Sequence, residues 1–148
     1  MSIYKDDDEL GKKGLEIFCK KFFRAGTKID VVPLEIKEQY DVMVNSVKYE
    51  CKTNYKDKLE LIIEEFYNTD EKIKGWMYTS KPDYIVFVGR KNIVIYPFPA
   101  LKKFWDLYKD KYEEIFNSSK TTGNYGKLRQ SSFRKIPMAD IPIKPIIW

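Results

Sequence analysis

The stretch Asp41-Val42-Met43-Val44-Asn45-Ser46-Val47-Lys48-Tyr49-Glu50-Cys51-Lys52 decides how this chain is read. With Asn45-Ser46 as a two-residue turn, Val44 pairs with Val47, Met43 with Lys48, Val42 with Tyr49 and Asp41 with Glu50. Side chains alternate along a strand, so Asp41, Glu50 and Lys52 share one face, while Val42, Val44, Val47, Tyr49 and Cys51 bury the other. Two directly opposed carboxylates, their side-chain origins roughly 5 Å apart, repel each other unless a cation lies between them. A divalent metal is such a cation. The plainer alternative is the solvated face of an ordinary amphipathic hairpin.

Two other segments satisfy acid-x-lysine. Glu35-Ile36-Lys37 lies just after Pro33 with no alternating strand around it, and Asp70-Glu71-Lys72 lies in the polar stretch Asn68 to Lys74. Neither has an acid facing it across an expected hairpin.

The Asp41 to Lys52 arrangement resembles the active-site hairpin of the PD-(D/E)XK, or restriction-endonuclease-like, nucleases. Asp41, Glu50 and Lys52 match the motif residue by residue, with Tyr40 standing where the name-giving proline would be. The order of helix, hairpin and further strands is also like the family's. The Tyr67 to Tyr84 stretch, ending Gly-Trp-Met-Tyr-Thr-Ser-Lys-Pro-Asp-Tyr, resembles small phage-borne and mobile-element members. The resemblance implies magnesium or manganese held by Asp41, Glu50 and the backbone carbonyl of Cys51, with Lys52 beside the reacting phosphate. It also implies a glutamate from the preceding helix: Glu16, at the border of that helix's apolar stripe, or Glu9 about two turns earlier. Glu60, Glu64 and Glu65 are further candidates, in an apolar run too uniform to assign their faces.

Elimination points the same way. The chain has no histidine, which removes histidine-metal sites and nucleophiles activated by histidine. Neither Gly-x-x-x-x-Gly-Lys nor Gly-x-Gly-x-x-Gly occurs, so no nucleotide cofactor is expected. Hydrolysis would have to use carboxylates, lysines and a metal, and oxygen ligands suit magnesium or manganese. Cys19 and Cys51 are isolated and read as buried free thiols.

The net charge of +5 is concentrated. From Ile115 to Ala139 the basic residues are Lys120, Lys127, Arg129, Arg134 and Lys135, with no acid, and the other 22 basic and 22 acidic residues cancel. Binding of a polyanion such as DNA, duplex or branched, is the direct physical reading, because each neutralised phosphate releases condensed counterions. The alternative is a solvated loop and edge strand. RNA stays open as a partner, since nothing here reads a base or a 2′-hydroxyl recognisably.

The 148 residues read as one domain, with a basic loop and ribbon at 118–136 and an extended tail at 137–148. Met1 to Leu10 is acidic, not a basic-then-apolar leader, and no run is apolar enough to span a membrane, so a cytoplasmic protein is expected. Asp6, Asp7 or Asp8 would cap a helix running to about Ala25 and ended by Gly26. Lys28 to Val32 reads as a short strand before the motif hairpin. Leu59 to Phe66 reads as a third strand beside the motif strand, and Asp83 to Val88 with Ile93 to Tyr96 as a second hairpin.

Trp76, Tyr78 and Tyr84 read as core-edge packing or as a stacking surface for bases. Ala100 to Phe116 has helical spacing, Ser118 to Gly126 reads as a mobile loop and Lys127 to Ile136 as a basic strand. Ile146-Ile147-Trp148 would dock on the body or on a second subunit, making a homodimer. The fold expected is α/β: a central mixed sheet with a restriction-endonuclease-like core, flanked by the N-terminal helix on one side and the Ala100 to Phe116 helix on the other. The function expected is metal-dependent cleavage of DNA, the alternative being a catalytically silent module that binds nucleic acid or a partner.

Overall fold

A computed structural model describes residues 3–31, 40–53, 59–120 and 128–148, with side chains described over 11–30, 40–53, 59–117 and 130–148. Helix α1, Ile3–Phe22, presents Leu15, Phe18, Cys19 and Phe22 along one side, the three- and four-residue spacing of an amphipathic helix. The chain then forms β1 Asp30–Val31, β2 Val42–Val44, β3 Val47–Thr53, β4 Glu60–Asn68, β5 Ile73–Lys74, the single helical turn α2 Trp76–Thr79, β6 Tyr84–Val88 and β7 Ile93–Pro97. Helix α3 Phe98–Tyr108, β8 Ile115–Lys120, β9 Leu128–Pro137 and β10 Ile146–Ile147 complete it. No helix among the described residues is long and apolar enough to cross a membrane.

The architecture is mixed α/β with two sheets. The larger runs β1-β2-β3-β6-β7-β10, antiparallel throughout except that β6 lies parallel to β3. One face packs Val42, Val44, Tyr49, Val86, Val88, Ile93 and Ile95 against Phe18 of α1. The other packs Ile85, Phe87 and Tyr96 against Leu61, Met77, Leu101, Trp105 and Ile136, which come from β4, α2, α3 and β9. The mixed sheet thus has α1 on one side, and α3 with the smaller sheet β5-β4-β9-β8 on the other.

Several expectations are corrected. Helix α1 starts before Asp6, so the three aspartates lie inside its first turns and not at its cap. It ends at Phe22, ahead of Gly26, whose φ of 86° belongs to the turn beyond. Strand β4 does not lie beside β3. It pairs with β9 in the second sheet, Leu61 opposite Ile136 and Ile63 opposite Arg134, and the place beside β3 is taken by β6. A run rich in isoleucine and leucine specifies a strand but not which neighbour it joins.

Helix α3 is shorter than its apolar spacing suggests, because Tyr112 and Ile115 belong to the turn and strand that follow. The Arg134 guanidinium donates to the carbonyls of Lys109 (3.3 Å) and Tyr112 (2.6 Å), satisfying groups at the helix end that a longer helix would have paired internally. Of the Ser118 to Gly126 segment, 118–120 belongs to β8, and the rest lies outside the described residues. The basic strand is present as β9. The tail docks on its own chain: Trp148 and Ile93 exchange backbone hydrogen bonds of 2.8 Å, and the Trp148 ring lies 5.9 Å from that of Phe22.

Candidate active-site hairpin and a buried ionic network

Asn45 and Ser46 have φ of 50° and 66°, the left-handed pair of a tight hairpin turn whose twist matches the flanking strands. The register is Val44 with Val47, Met43 with Lys48 and Val42 with Tyr49, as the sequence predicts, but the expected fourth pair, Asp41 with Glu50, is not part of the ladder, because β2 begins only at Val42. Tyr49 faces the α1 layer, its ring 5.5 Å from Phe18, so Glu50 and Lys52, one and three residues on, alternate to the opposite face.

Asp41 stands in a bend just before β2. Its N–H donates to the Tyr49 carbonyl at 2.9 Å, and its Oδ2 accepts the Cys51 N–H at 2.8 Å. The carboxylate therefore extends the ladder where β2 has run out. Glu50 is buried, with a side chain only 7% exposed, and its Oε1 lies 3.2 Å from Lys52 Nζ. Burying a carboxylate costs several kcal/mol unless a cation and hydrogen bonds offset it, and Lys52 supplies the cation. Burial first, then Asp41 and Glu50, push the Cys51 thiol far above its ordinary range, with Lys52 opposing. Both acids thus bear on the same residue.

Asp83 clamps the hairpin to the parallel strand: its Oδ2 accepts the Lys48 N–H at 2.8 Å and its own N–H donates to the Lys48 carbonyl at 2.9 Å. Lys52 Nζ also lies 5.1 Å from the centre of the Trp76 ring. Sequence reasoning assigns neither Asp83 nor Trp76 to this site. The Asp-Tyr that opens β6 and the Gly-Trp of α2 carry no short-range signal linking them to residues some thirty positions earlier.

Glu16 is exposed on α1, which lies against the Tyr49 and Cys51 face, so it does not stand on the face that carries Glu50 and Lys52. The side chain of Glu9 lies outside the described residues, as does the whole of Glu35-Ile36-Lys37. Asp70-Glu71-Lys72 forms the turn after β4, where Glu71 N–H donates to Asn68. Cys19 and Cys51 are free, half-buried thiols, and burial raises both.

The basic segment divides into unlike parts. Lys127 lies outside the described residues, and Lys120 and Arg129 have described backbones only, at the same end of the β8–β9 ribbon, where Ser119 pairs with Arg129. Lys135 is exposed on β9. Arg134 is not a free surface cation. Its side chain is 11% exposed and lies 3.7 Å from Glu65, 3.8 Å from Asp110 and 3.9 Å from Glu114.

Glu65 anchors this network from the inward phase of β4, after Leu61 and Ile63. Its Oε1 accepts from Lys109 Nζ (2.8 Å) and from the Tyr78 hydroxyl (2.9 Å). The Tyr78 oxygen in turn accepts from Lys109 (2.7 Å) and from the Trp105 indole (3.1 Å). Among the described residues neither Glu65 Oε2 nor Arg134 Nε has a hydrogen bond, and the two face each other. Burial, then the Glu65 carboxylate, raises the Tyr78 phenol against the lowering effect of its Lys109 and Trp105 hydrogen bonds. For Lys109, burial is the largest influence and lowers it, but Glu65 and Tyr78 together outweigh burial and hold it above its ordinary value. Glu65 is thus absorbed by structure, bound to Lys109 and Tyr78. The alternation of Leu61, Ile63 and Glu65 was the available signal for an inward carboxylate.

Among the described residues no three histidine, cysteine, aspartate or glutamate side chains stand together as a metal site. Two carboxylates, a main-chain carbonyl and water do match the way magnesium is commonly held, with few protein ligands and several retained waters. Comparison with known proteins gives no match to a protein-family model, a curated protein or a solved structure.

Proposed function

We propose that the chain is a metal-dependent deoxyribonuclease with a restriction-endonuclease-like core, acting at the Asp41–Lys52 hairpin. One observation carries the reading. Glu50, a buried carboxylate, stands 3.2 Å from Lys52, while Asp41, in the bend before β2, binds the N–H of the intervening Cys51. Two acids and a lysine thus stand around one backbone position of β3. The parallel placement of β6 beside β3, reached by a long crossover through β4 and α2, agrees with such a core.

Asp41, Glu50 and the Cys51 carbonyl would hold magnesium or manganese. Bound there, the ion would supply Lewis acidity toward a phosphate oxygen and a hydroxide near neutral pH. Lys52 places its ammonium where charge develops on the phosphate as the bond breaks, stabilising the transition state more than the ground state. Asp83 holds the hairpin against β6 so that Glu50 and Lys52 keep their spacing. Lys120, Lys127, Arg129 and Lys135 would attract the polyanion, and Arg134 shapes the ribbon from within.

A second reading, a module of this fold that binds nucleic acid or a partner without cutting it, is favoured by one observation. Asp41 and Lys52 already have protein partners, the Cys51 N–H and Glu50. Calorimetric titration of magnesium and manganese separates the two. Asp41→Asn and Glu50→Gln should abolish binding, and Lys52→Ala should retain it. Equal heats for all four proteins would favour the binding module.

A further inference from the structure

The Lys52 side chain is about one-third exposed, with four rotatable bonds, and among the described residues its ion pair is to Glu50 alone, a restraint that leaves the ammonium some freedom. An aromatic face stands beside it: the Trp76 ring centre lies 5.1 Å from Nζ, within the range where a cation is drawn to an indole. The ring is itself held. It meets Phe87 at 6.2 Å with the planes inclined by 61°, and Phe87 is the register partner of Lys52 across the parallel β3–β6 pair.

The backbone of Trp76 is fixed as well. Gly75 donates its N–H to the Glu65 carbonyl at 3.0 Å, the Trp76 carbonyl accepts the Ser80 N–H at 2.8 Å, and a Cβ on Gly75 would run into the Glu64 carbonyl. Only glycine lets α2 approach β4 this closely. The sequence Gly75-Trp76 thus delivers an indole to Lys52 from a different layer of the molecule.

We propose that Trp76 is a positioning residue that holds the Lys52 ammonium beside Glu50, ready for the reacting phosphate. This rests on the nuclease reading. Trp76 touches neither metal nor substrate in this role, so its loss acts on the rate of the chemical step through Lys52 and spares metal affinity.

The test is a double-mutant cycle in single-turnover cleavage of DNA with magnesium, using the full chain, Trp76→Phe, Trp76→Leu, Lys52→Ala and the Trp76→Leu/Lys52→Ala pair. Trp76→Leu should slow the step about three- to tenfold, the range expected of a cation–π contact, with unchanged half-saturating DNA and magnesium. Trp76→Phe should retain most of the rate. In the Lys52→Ala background Trp76→Leu should cost nothing further. The same penalty in both backgrounds, or a rise in half-saturating DNA in place of a slower step, would overturn the proposal and make Trp76 a packing or stacking residue.

Absence of cleavage by the unaltered protein would instead overturn the nuclease reading. The contact is then decided by the indole N–H resonance of Trp76, which should shift in Lys52→Met, whereas an unmoved resonance would overturn the positioning as well.

Discussion

Asp41 Oδ2 accepts the backbone N–H of Cys51 at 2.8 Å, so a carboxylate continues the β-ladder one position before the first residue of β2. That bond ties the acid at the mouth of the hairpin to the strand carrying Glu50 and Lys52. It depends on the two-residue turn, because a one-residue slip would carry Glu50 and Lys52 to the α1 face.

Ser46 holds the second left-handed position of that turn, with φ of 66°, a conformation that costs a residue with a Cβ more than it costs glycine. Ser46→Gly should therefore raise stability by about 0.5–1 kcal/mol, with the gain reduced by the looser unfolded chain. Ser46→Val should lower stability and, by loosening the register, weaken metal binding at Asp41 and Glu50. Urea unfolding checks both signs. A stabilising valine would contradict the turn geometry.

The hairpin was legible because its pattern is local. Asn-Ser sits between matched valines, and alternation carries the register outward as far as Val42 and Tyr49. The strands β6 and β7 were legible for the same reason, a β-branched run on each side of a turn closed by Gly89 N–H on the Asn92 carbonyl. What was not legible depends on partners distant in sequence. The Leu59 to Phe66 run does not say that its neighbour is β9, and the spacing through Tyr112 and Ile115 does not say that Arg134 will take the carbonyls ending α3. Counting Arg134 among surface cations failed similarly, since charge along the chain does not reveal that Glu65 waits across the β4–β9 pair.

Arg134→Met should destabilise the fold by about 3–5 kcal/mol, because it strips a cation from a buried carboxylate network. Adding Glu65→Gln to it should recover part of that loss, since the buried charge is removed while the amide oxygen still accepts from Lys109 and Tyr78. Chemical unfolding of both variants measures this. A loss under about 1 kcal/mol for the single change, the range of exposed pairs, would contradict the burial of this network.

Tyr78 and Lys109 both hold their protons more tightly in the folded chain. Their stabilising contribution is therefore complete below the ordinary values of 10.0 for tyrosine and 10.5 for lysine, and is lost as pH rises through the higher folded values. Melting temperature should be level near about pH 8 to 9 and fall above about pH 10. Tyr78→Phe, less stable throughout, should show a shallower alkaline fall. A melting temperature that climbs over that interval would contradict the sign.

Replacing Lys127, Arg129 and Lys135 by alanine should weaken DNA binding for all sequences alike and lower the salt slope by about one unit for each phosphate no longer neutralised. Arg134 is left intact in this variant because its loss would damage the fold. Unaltered affinity and slope would make the segment a solubilising surface and move the DNA groove toward Lys48.

The central claim is most directly tested by incubating the protein and its Glu50→Gln variant with linear, nicked, branched and single-stranded DNA in magnesium, manganese or chelator. The account predicts cleavage of at least one substrate by the unaltered protein with either metal, none in chelator, and none by Glu50→Gln. Cleavage that persists in chelator or in Glu50→Gln, or its absence from every substrate under every metal, would contradict it.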